Sequence, residues 1–291
     1  MARVLLTGAT GLIGRATATA LTQAGHEVIT LGRNPANDIT CDLLDPDATT
    51  KALETARASL LVHLAWHDGP RDRWTSGANL DWMAATLHLV RKFACMGGQR
   101  AVCAGSCAEY DWSVPELTET SPLWPRSLYG AAKAGTGLAL CAAGPALGLS
   151  IAWARIFFVF GPGEPPGRLL GDLIVNLKAG KPAECTDGRQ ERDFLHVDDL
   201  AFALALLLAS EAEGAINVAS GHTVAVREVI TETARQMGRP DLVRLGKIVR
   251  APDDPDRLAT DVTRLRQEAG FQPRHDLISA IAATLAAEER S

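Results

Sequence analysis

No Cys-x-x-Cys pair occurs among the six cysteines, Cys41, Cys95, Cys103, Cys107, Cys141 and Cys185. Close cysteine pairs mark zinc sites and redox motifs, so neither is expected here. Several of the six sit in apolar surroundings, where reduced, buried thiols are the expectation. The chain therefore reads as a cytoplasmic protein without structural disulfides. Long apolar runs are also missing. The longest, around Leu200 to Ala209, falls far short of the roughly 20 residues that a membrane helix needs. No signal-peptide pattern precedes Arg3-Val4-Leu5-Leu6. An excess of positive charge is absent as well. The formal net charge is -5 and the isoelectric point about 5.8. That balance gives no general attraction to nucleic acid or to an anionic membrane, and an anionic substrate would need local arginines. There is no internal repeat and no low-complexity tract. His63 and His67 are four apart, but His63 belongs to the apolar run 60–64, which reads as a strand. Helical spacing then does not apply, and no metal site is expected.

What is present is an ordinary globular composition, 47% apolar and 22% charged over 291 residues. That is enough for one large domain or two interlocked ones. Arg3 to Thr7 reads as an apolar strand. Gly8-Ala9-Thr10-Gly11-Leu12-Ile13-Gly14 follows, and then an Ala-rich helix to about Ala24. Glycines at 8, 11 and 14 permit a tight turn and a close backbone approach. The helix N-terminus then offers free N–H groups to a pyrophosphate. In this strand–turn–helix context the motif predicts a dinucleotide site; the alternative is a purely structural glycine turn. Glu27 to Leu31 is the second strand, and its end selects the cofactor. An acidic residue there would bind the ribose diol of NAD. The chain has Gly32-Arg33-Asn34 instead. Arg33 is expected to pair with a 2′-phosphate, which favours NADP over NAD, unless it is simply a solvated arginine. Asp42 and Leu43 fall where an aspartate meets the adenine edge, and Asp45 suits the N-cap of a helix from about Ala48.

Leu60 to Leu64 reads as a buried strand with Ala65 and Trp66 at its carboxyl end, where ligands of open α/β sheets lie. A helix over Asn79–Met96 and a strand over Arg100–Ala104 follow. Ser106 thus sits at another strand end, as a substrate hydrogen-bonding group or as a turn cap. The next helix carries Tyr129 and Lys133 and is expected to stop near Gly144-Pro145. Residues four apart share a helix face. A free phenol ionises near pH ~10 and is a poor proton carrier at neutrality. A neighbouring ammonium would favour the phenolate and bring its pKa toward the working range. Ser150 to Arg155 is a further strand. Regular alternation of strands and helices predicts an α/β, Rossmann-type doubly wound parallel sheet with right-handed crossovers.

Beyond Gly163 the pattern changes. Gly163 to Gly167 is expected to be a mobile loop, followed by a helix over Leu169–Ala179. A charged turn over Gly188–Asp193 precedes a short strand, Phe194–Val197. Asp198 is expected to cap the helix Leu200–Ser210, and Gly214–Val218 to be the last strand of the main sheet. The remainder reads as helices over Val226–Met237, Val262–Ala269 and Leu277–Glu288, with an acidic, proline-broken loop at Pro252–Pro255.

In this order, these motifs resemble the extended short-chain dehydrogenase/reductases of the NAD-dependent epimerase/dehydratase family, the nucleotide-sugar modifying branch. The anchors are residues 7–14, His63-Leu64-Ala65, Ser106, Tyr129-x-x-x-Lys133, Arg155 to Gly163, Arg192 to Asp199, and Asn217 to Gly221. The resemblance implies that Tyr129 is the acid/base, that Lys133 holds the nicotinamide ribose, and that Ser106 bonds the reacting oxygen. It places Ile156 and Phe157 beside the cofactor. It places Cys107, Phe158, Arg168, Arg192, Arg250 and Arg257 in a substrate site for the nucleotide and diphosphate. Two departures stand out. Family 4,6-dehydratases carry Asp-Glu directly after the position of Ser106, where this chain has Cys107-Ala108. Phe158 replaces a nucleotide-contacting Asn. The implied organisation is a dinucleotide-binding domain over 1–160, with a return segment at 194–220, and a smaller substrate-binding lobe from 161–193 and 221–291. Relatives often form homodimers through the helix bearing Tyr129 and the one before it. The implied function is a nucleotide-sugar oxidoreductase, foremost a 4-keto-sugar reductase using NADPH. An epimerase with tightly bound NAD is the alternative, and a non-catalytic dinucleotide-binding sensor is the alternative of another class.

Overall fold

The computed structural model describes residues 2–67, 69, 72–165 and 167–290. Pro166, inside the expected loop at 163–167, lies outside them. Strand β1 (Arg3–Thr7) leads into α1 (Leu12–Gln23), β2 (Glu27–Gly32) and the short β3 (Ile39–Thr40). Helix α2 (Pro46–Ala56) starts two residues earlier than expected. Asp45 caps it by accepting from the Asp47 and Ala48 amides, and Pro46, which has no N–H to leave unpaired, fills the first turn. Then come β4 (Leu60–His63), α3 (Ala78–Cys95), β5 (Arg100–Ser106), β6 (Glu116–Leu117) and α4 (Leu128–Leu147). Helix α4 runs past the stop expected at Gly144-Pro145. Pro145 falls in its last turn, and Gly148, left-handed at φ 61°, closes it.

Next are β7 (Ser150–Ile156), β8 (Phe158–Phe160), α5 (Leu169–Lys178), β9 (Ala183–Glu184), β10 (Glu191–His196), α6 (Val197–Ala209) and β11 (Gly214–Val218). The chain ends with β12 (Thr223–Ala225), α7 (Val226–Gln236), β13 (Val243–Arg244), β14 (Arg257–Thr260), α8 (Thr263–Ala269) and α9 (Leu277–Glu288). Two expectations need correction. Strand β10 begins at Glu191 because the charged residues pair with β12 and β14. Helix α6 is capped by His196, not Asp198: His196 Nδ1 accepts from the Asp198 amide, and Asp198 sits inside the first turn.

The large sheet has seven strands in the order β11-β7-β5-β4-β1-β2-β3, and every pairing in it is parallel. This is the Rossmann-type doubly wound arrangement expected. The strand order reverses between β1 and β4, which is where such sheets open a crevice at their carboxyl edge. Side chains alternate across the sheet. Val4, Leu6 and Val62 join the core under α1 and α6, while Leu5, Leu61 and Trp153 join the core on the opposite face. A smaller sheet has the order β12-β10-β14-β6, with β8 added beside β10. Thus β10 belongs to the small sheet, whereas β11 returns to the large one and α6 packs on it. Helices α5, α7 and α9 surround further apolar clusters built on Leu170, Ile174, Val229 and Ile281. Among the described residues no helix is long and apolar enough to cross a membrane.

Candidate active site

The turn after β1 is shaped by glycine. Gly8 has φ +74°, and a Cβ there would lie 2.8 Å from the Ala65 amide nitrogen. A Cβ on Gly14 would lie 2.0 Å from the Gly8 carbonyl oxygen. Helix α1 can therefore start hard against the turn, and no side chain caps its N-terminus. The turn and the N-cap residue, Gly11, line a groove of about 390 Å³. Gly8, Thr10 and Gly11 form one wall, Arg33 and Asn34 one end, and Leu43, Leu64, Ala65 and Trp66 the other wall. Leu12, Gly14 and Asp42 do not line it. Leu12 and Gly14 face inward from α1, and Asp42 closes a turn by accepting from the Leu44 amide. Asn37, which sequence reading passed over, also lines the groove, and its Oδ1 is buried without a hydrogen-bond partner. A glycine cradle, free helix amides and an unsatisfied acceptor are what a bound dinucleotide would use. Both ring nitrogens of His63 are engaged in hydrogen bonds. Its ring joins Thr7 Oγ1 at 2.7 Å and Thr86 Oγ1 at 2.9 Å, tying β1, β4 and α3 together. Burial pushes its pKa down to about 3, so it is neutral. Among the described residues no cluster of three or more His, Cys, Asp or Glu could hold a metal. All six cysteines are free.

Leu64 and Trp66 also line a second cavity of about 340 Å³, so groove and cavity adjoin. This cavity brings together Ile13, Ser106, Cys107, Tyr129, Lys133, Ile156, Phe157, Phe158 and Arg168. Ser106 ends β5 and is both a turn cap and a site residue. Its Oγ accepts from the Ala108 amide at 3.2 Å, and its hydroxyl lies near enough to the Tyr129 phenol to favour the phenolate. Its amide donates to Glu109 Oε1 at 2.7 Å. Glu109, fully buried, also accepts from Trp153 Nε1 at 2.9 Å and from Arg155 Nε at 2.8 Å. This network under the cavity floor fixes the Ser106 turn. Tyr110 is bound into it: its hydroxyl donates to Asn217 Oδ1 at 2.6 Å and accepts from Arg155 at 2.9 Å. Burial raises its pKa, so Tyr110 serves the core rather than the cavity.

The Tyr129–Lys133 pair differs from expectation. Lys133 Nζ donates to the Ala104 carbonyl at 2.7 Å and lies 3.8 Å from the centroid of the Trp66 ring. Burial pushes its pKa down to about 7, against the opposing charge of Glu109. The phenol pKa is raised, because desolvation outweighs the Ser106 hydroxyl and the charge of Arg73. The ammonium is thus not the group that opposes desolvation of the phenol. Arg73 and Trp74, just beyond the carboxyl end of β4, were missed in the sequence. The Trp74 ring meets Tyr129 edge-on at 5.4 Å, and its carbonyl accepts the Tyr129 amide at 3.2 Å. Both follow a strand's carboxyl edge, which is the signal that could have found them. Trp112, past the Ser106 turn, was missed in the same way.

The arginines separate. Arg168 faces the cavity 4.0 Å from Glu164. Arg192 is buried beside Phe158 and ion-paired with Asp254, which also faces Arg250 at 3.9 Å. Arg250 pairs further with Asp256. Arg257 pairs with Glu191 at 2.6 Å on the surface and lines neither the groove nor the cavity. Cys107 lines the cavity as a thiol pushed up to about 12 by burial, so it is not a usable acid or base at neutral pH.

A glycine-cradled groove at the sheet's switch point, beside a Ser/Tyr/Lys cavity, defines a dinucleotide-dependent enzyme of the short-chain dehydrogenase/reductase class. The NAD dependent epimerase/dehydratase family model matches residues 4–219, and the chain belongs to that family. It is 29% identical to the UDP-glucose 4-epimerase of Azospirillum brasilense, over 99% of this chain and 92% of the relative. The structure of MoeE5 in complex with UDP-glucose and NAD is 30% identical, with a TM-score of 0.83 over 99% and 98% of the two chains. The UDP-glucose 4-epimerase of Thermus thermophilus, in complex with NAD, shares the fold at a TM-score of 0.87 and 24% identity, over 99% of both chains.

Proposed function

We propose that this enzyme reduces the 4-keto group of a nucleotide sugar with NADPH. The observation that carries the reading is the meeting of Ser106, Tyr129 and Lys133 in one cavity beside the dinucleotide groove. Bound in that groove, the nicotinamide dinucleotide supplies hydride. Tyr129 delivers the proton to the sugar oxygen, Ser106 holds that oxygen, and Lys133 holds the nicotinamide ribose. Gly8, Thr10, Gly11 and the α1 amides hold the pyrophosphate, and Arg33 the 2′-phosphate. Arg168, with Arg192 and Arg250, takes the sugar diphosphate. For Arg192 and Arg250, phosphate replaces the carboxylate of Asp254. Cys107 and Ala108 stand where an elimination would need carboxyl groups, which argues against dehydration as the reaction.

The second reading is an epimerase that retains NAD. Asn37 Oδ1 favours it, because a lone acceptor suits a ribose hydroxyl better than a phosphate. The two readings separate in one experiment. Purified protein is screened against nucleotide sugars by mass spectrometry, with and without added NADPH or NADH, in wild type and Arg33→Ala. A reductase consumes stoichiometric NADPH, and Arg33→Ala weakens NADPH alone. An epimerase turns over without added cofactor and carries NAD through purification.

We further read residues 1–160 and the return segment 194–220 as the cofactor domain, and 161–193 with 221–291 as the substrate lobe. We place the enzyme in the cytoplasm, in keeping with six unpaired thiols. We take it to be a homodimer, because α3 and α4 expose Leu80 and Leu138.

A further inference from the structure

A second chamber adjoins the reaction cavity. Trp74, Ala108 and Trp112 line both. The chamber measures about 360 Å³, within the range of about 300–1,000 Å³ that small-molecule sites occupy. Its far wall is the loop bearing Val249 and Ala251. Val249, on that loop, is 91% exposed, so its side chain is available to a ligand. The Trp112 indole N–H is already spent on the Cys107 carbonyl at 2.8 Å, so the ring is anchored by its edge.

Charged groups stand at the rim, where the proposed diphosphate would engage Arg250. Arg250 pairs with Asp254 and Asp256, and Arg126 donates to the Asp253 carbonyl. Tyr110, Ser127 and Thr186 also line the chamber, but their hydroxyls are engaged: Tyr110 donates to Asn217, Ser127 accepts from the Gly130 amide and Thr186 from the Gly188 amide, which leaves tryptophan, alanine and valine as the free surface. The other neighbouring pocket is different. It shares Arg168 and Leu169 with the reaction cavity, measures about 300 Å³, and is lined by Asn176, Glu184 and Gln190, whose Oε1 is buried without a partner. That pocket offers the hydrogen-bonding groups a nucleobase edge needs. A substrate without an apolar substituent would leave the tryptophan chamber with water against apolar walls.

We propose that this chamber binds an apolar, ring-sized group carried by the sugar of the substrate, so that the true substrate is a nucleotide sugar with an apolar substituent. This rests on the nucleotide-sugar reading given above.

The probe is indole, titrated into NADPH-loaded protein and followed by methyl NMR at Val249 and Ala251, with and without saturating UDP or dTDP. The expected result is saturable binding that shifts both methyl signals and survives addition of either nucleotide. Affinity should fall about tenfold in Trp112→Ala and in Val249→Asp, as loss of apolar contact area implies. Val249→Asp changes an exposed side chain, so its fold is not at risk. Displacement of indole by UDP or dTDP would overturn the proposal, because the chamber would then be the nucleobase site. So would the lack of any saturable shift in the wild type. If neither UDP nor dTDP binds while indole does, the nucleotide-sugar reading falls and the apolar preference of the chamber stands.

Discussion

Lys133 is 3% exposed, held between a carbonyl and an indole face, and its pKa lies near about 7 instead of the usual lysine value. The sign of the pH effect follows. The ammonium is present below that pKa and lost above it, so any contact it makes with the cofactor ribose weakens as pH rises through neutrality. We expect NADPH affinity to fall over that range in the wild type and to be flatter in Lys133→Arg, whose guanidinium stays protonated. Fluorescence titrations of NADPH at a series of pH values check this. In the reductive direction the alkaline fall in activity should then follow Lys133 rather than Tyr129, whose pKa is raised. Tyr129→Phe keeps the ring against Trp74 and removes only the hydroxyl. Turnover should drop by about 10²–10⁴-fold or more, the usual worth of a general acid. The melting temperature and NADPH affinity should change little. Near-normal turnover would remove Tyr129 from the mechanism, and Tyr110, locked to Asn217 and Arg155, is not placed to substitute.

Helix α4 reaches the Ser106 turn only because of its glycines. A Cβ on Gly130 would lie 2.2 Å from the Ala108 carbonyl oxygen, and one on Gly137 would lie 2.5 Å from Trp153 Nε1. Tyr129 immediately precedes the first of these, so any shift that relieves the clash moves the phenol away from Ser106. Gly130→Ala should therefore lower stability by about 1–3 kcal/mol, as overpacking does, and should reduce kcat more than cofactor affinity. Gly135 on the same helix is the control. Its Cβ would meet only the flexible end of Met83, at 3.3 Å. Gly135→Ala should be neutral or stabilising by up to about 1 kcal/mol, because alanine loses less entropy in a helix. Thermal unfolding and steady-state kinetics on the two variants separate a clash at the site from a general effect of replacing helix glycines.

Helices α3 and α4 pack on each other along one side of the large sheet. Leu80 on α3 is 56% exposed and Leu138 on α4 is 60% exposed, although Trp82, Leu89, Val90 and Phe93 of α3 and Leu140 of α4 are buried. If a second copy covers this face, a charge placed there loses its hydration on association and opposes the dimer. Leu138→Glu should convert dimer to monomer by light scattering, while the isolated chain keeps its fold. A monomeric wild type would refute the dimer directly.

The glycine turn after β1, the run of alternating strands and helices, and the Ser106, Tyr129 and Lys133 positions were legible in the chain itself. Each depends on a few neighbouring residues: a glycine where a Cβ would collide, a period that fixes a face, a four-residue step along one helix. The parallel pairing of the large sheet followed from the same alternation. Other features were decided only by the tertiary structure, because they depend on groups far apart in sequence. Arg192 is tied to Asp254 and Arg257 to Glu191, so a list of arginines could not say which one faces the cavity. Strand β10 was drawn into a second sheet by β8, β12 and β14. Trp74 and Trp112, far apart in sequence, close over one chamber with Val249. Above all, the Tyr-x-x-x-Lys spacing put two side chains on one helix face but not their protonation. Burial acts on both groups, and it pushed the phenol up and the ammonium down, opposite to what proximity alone implies.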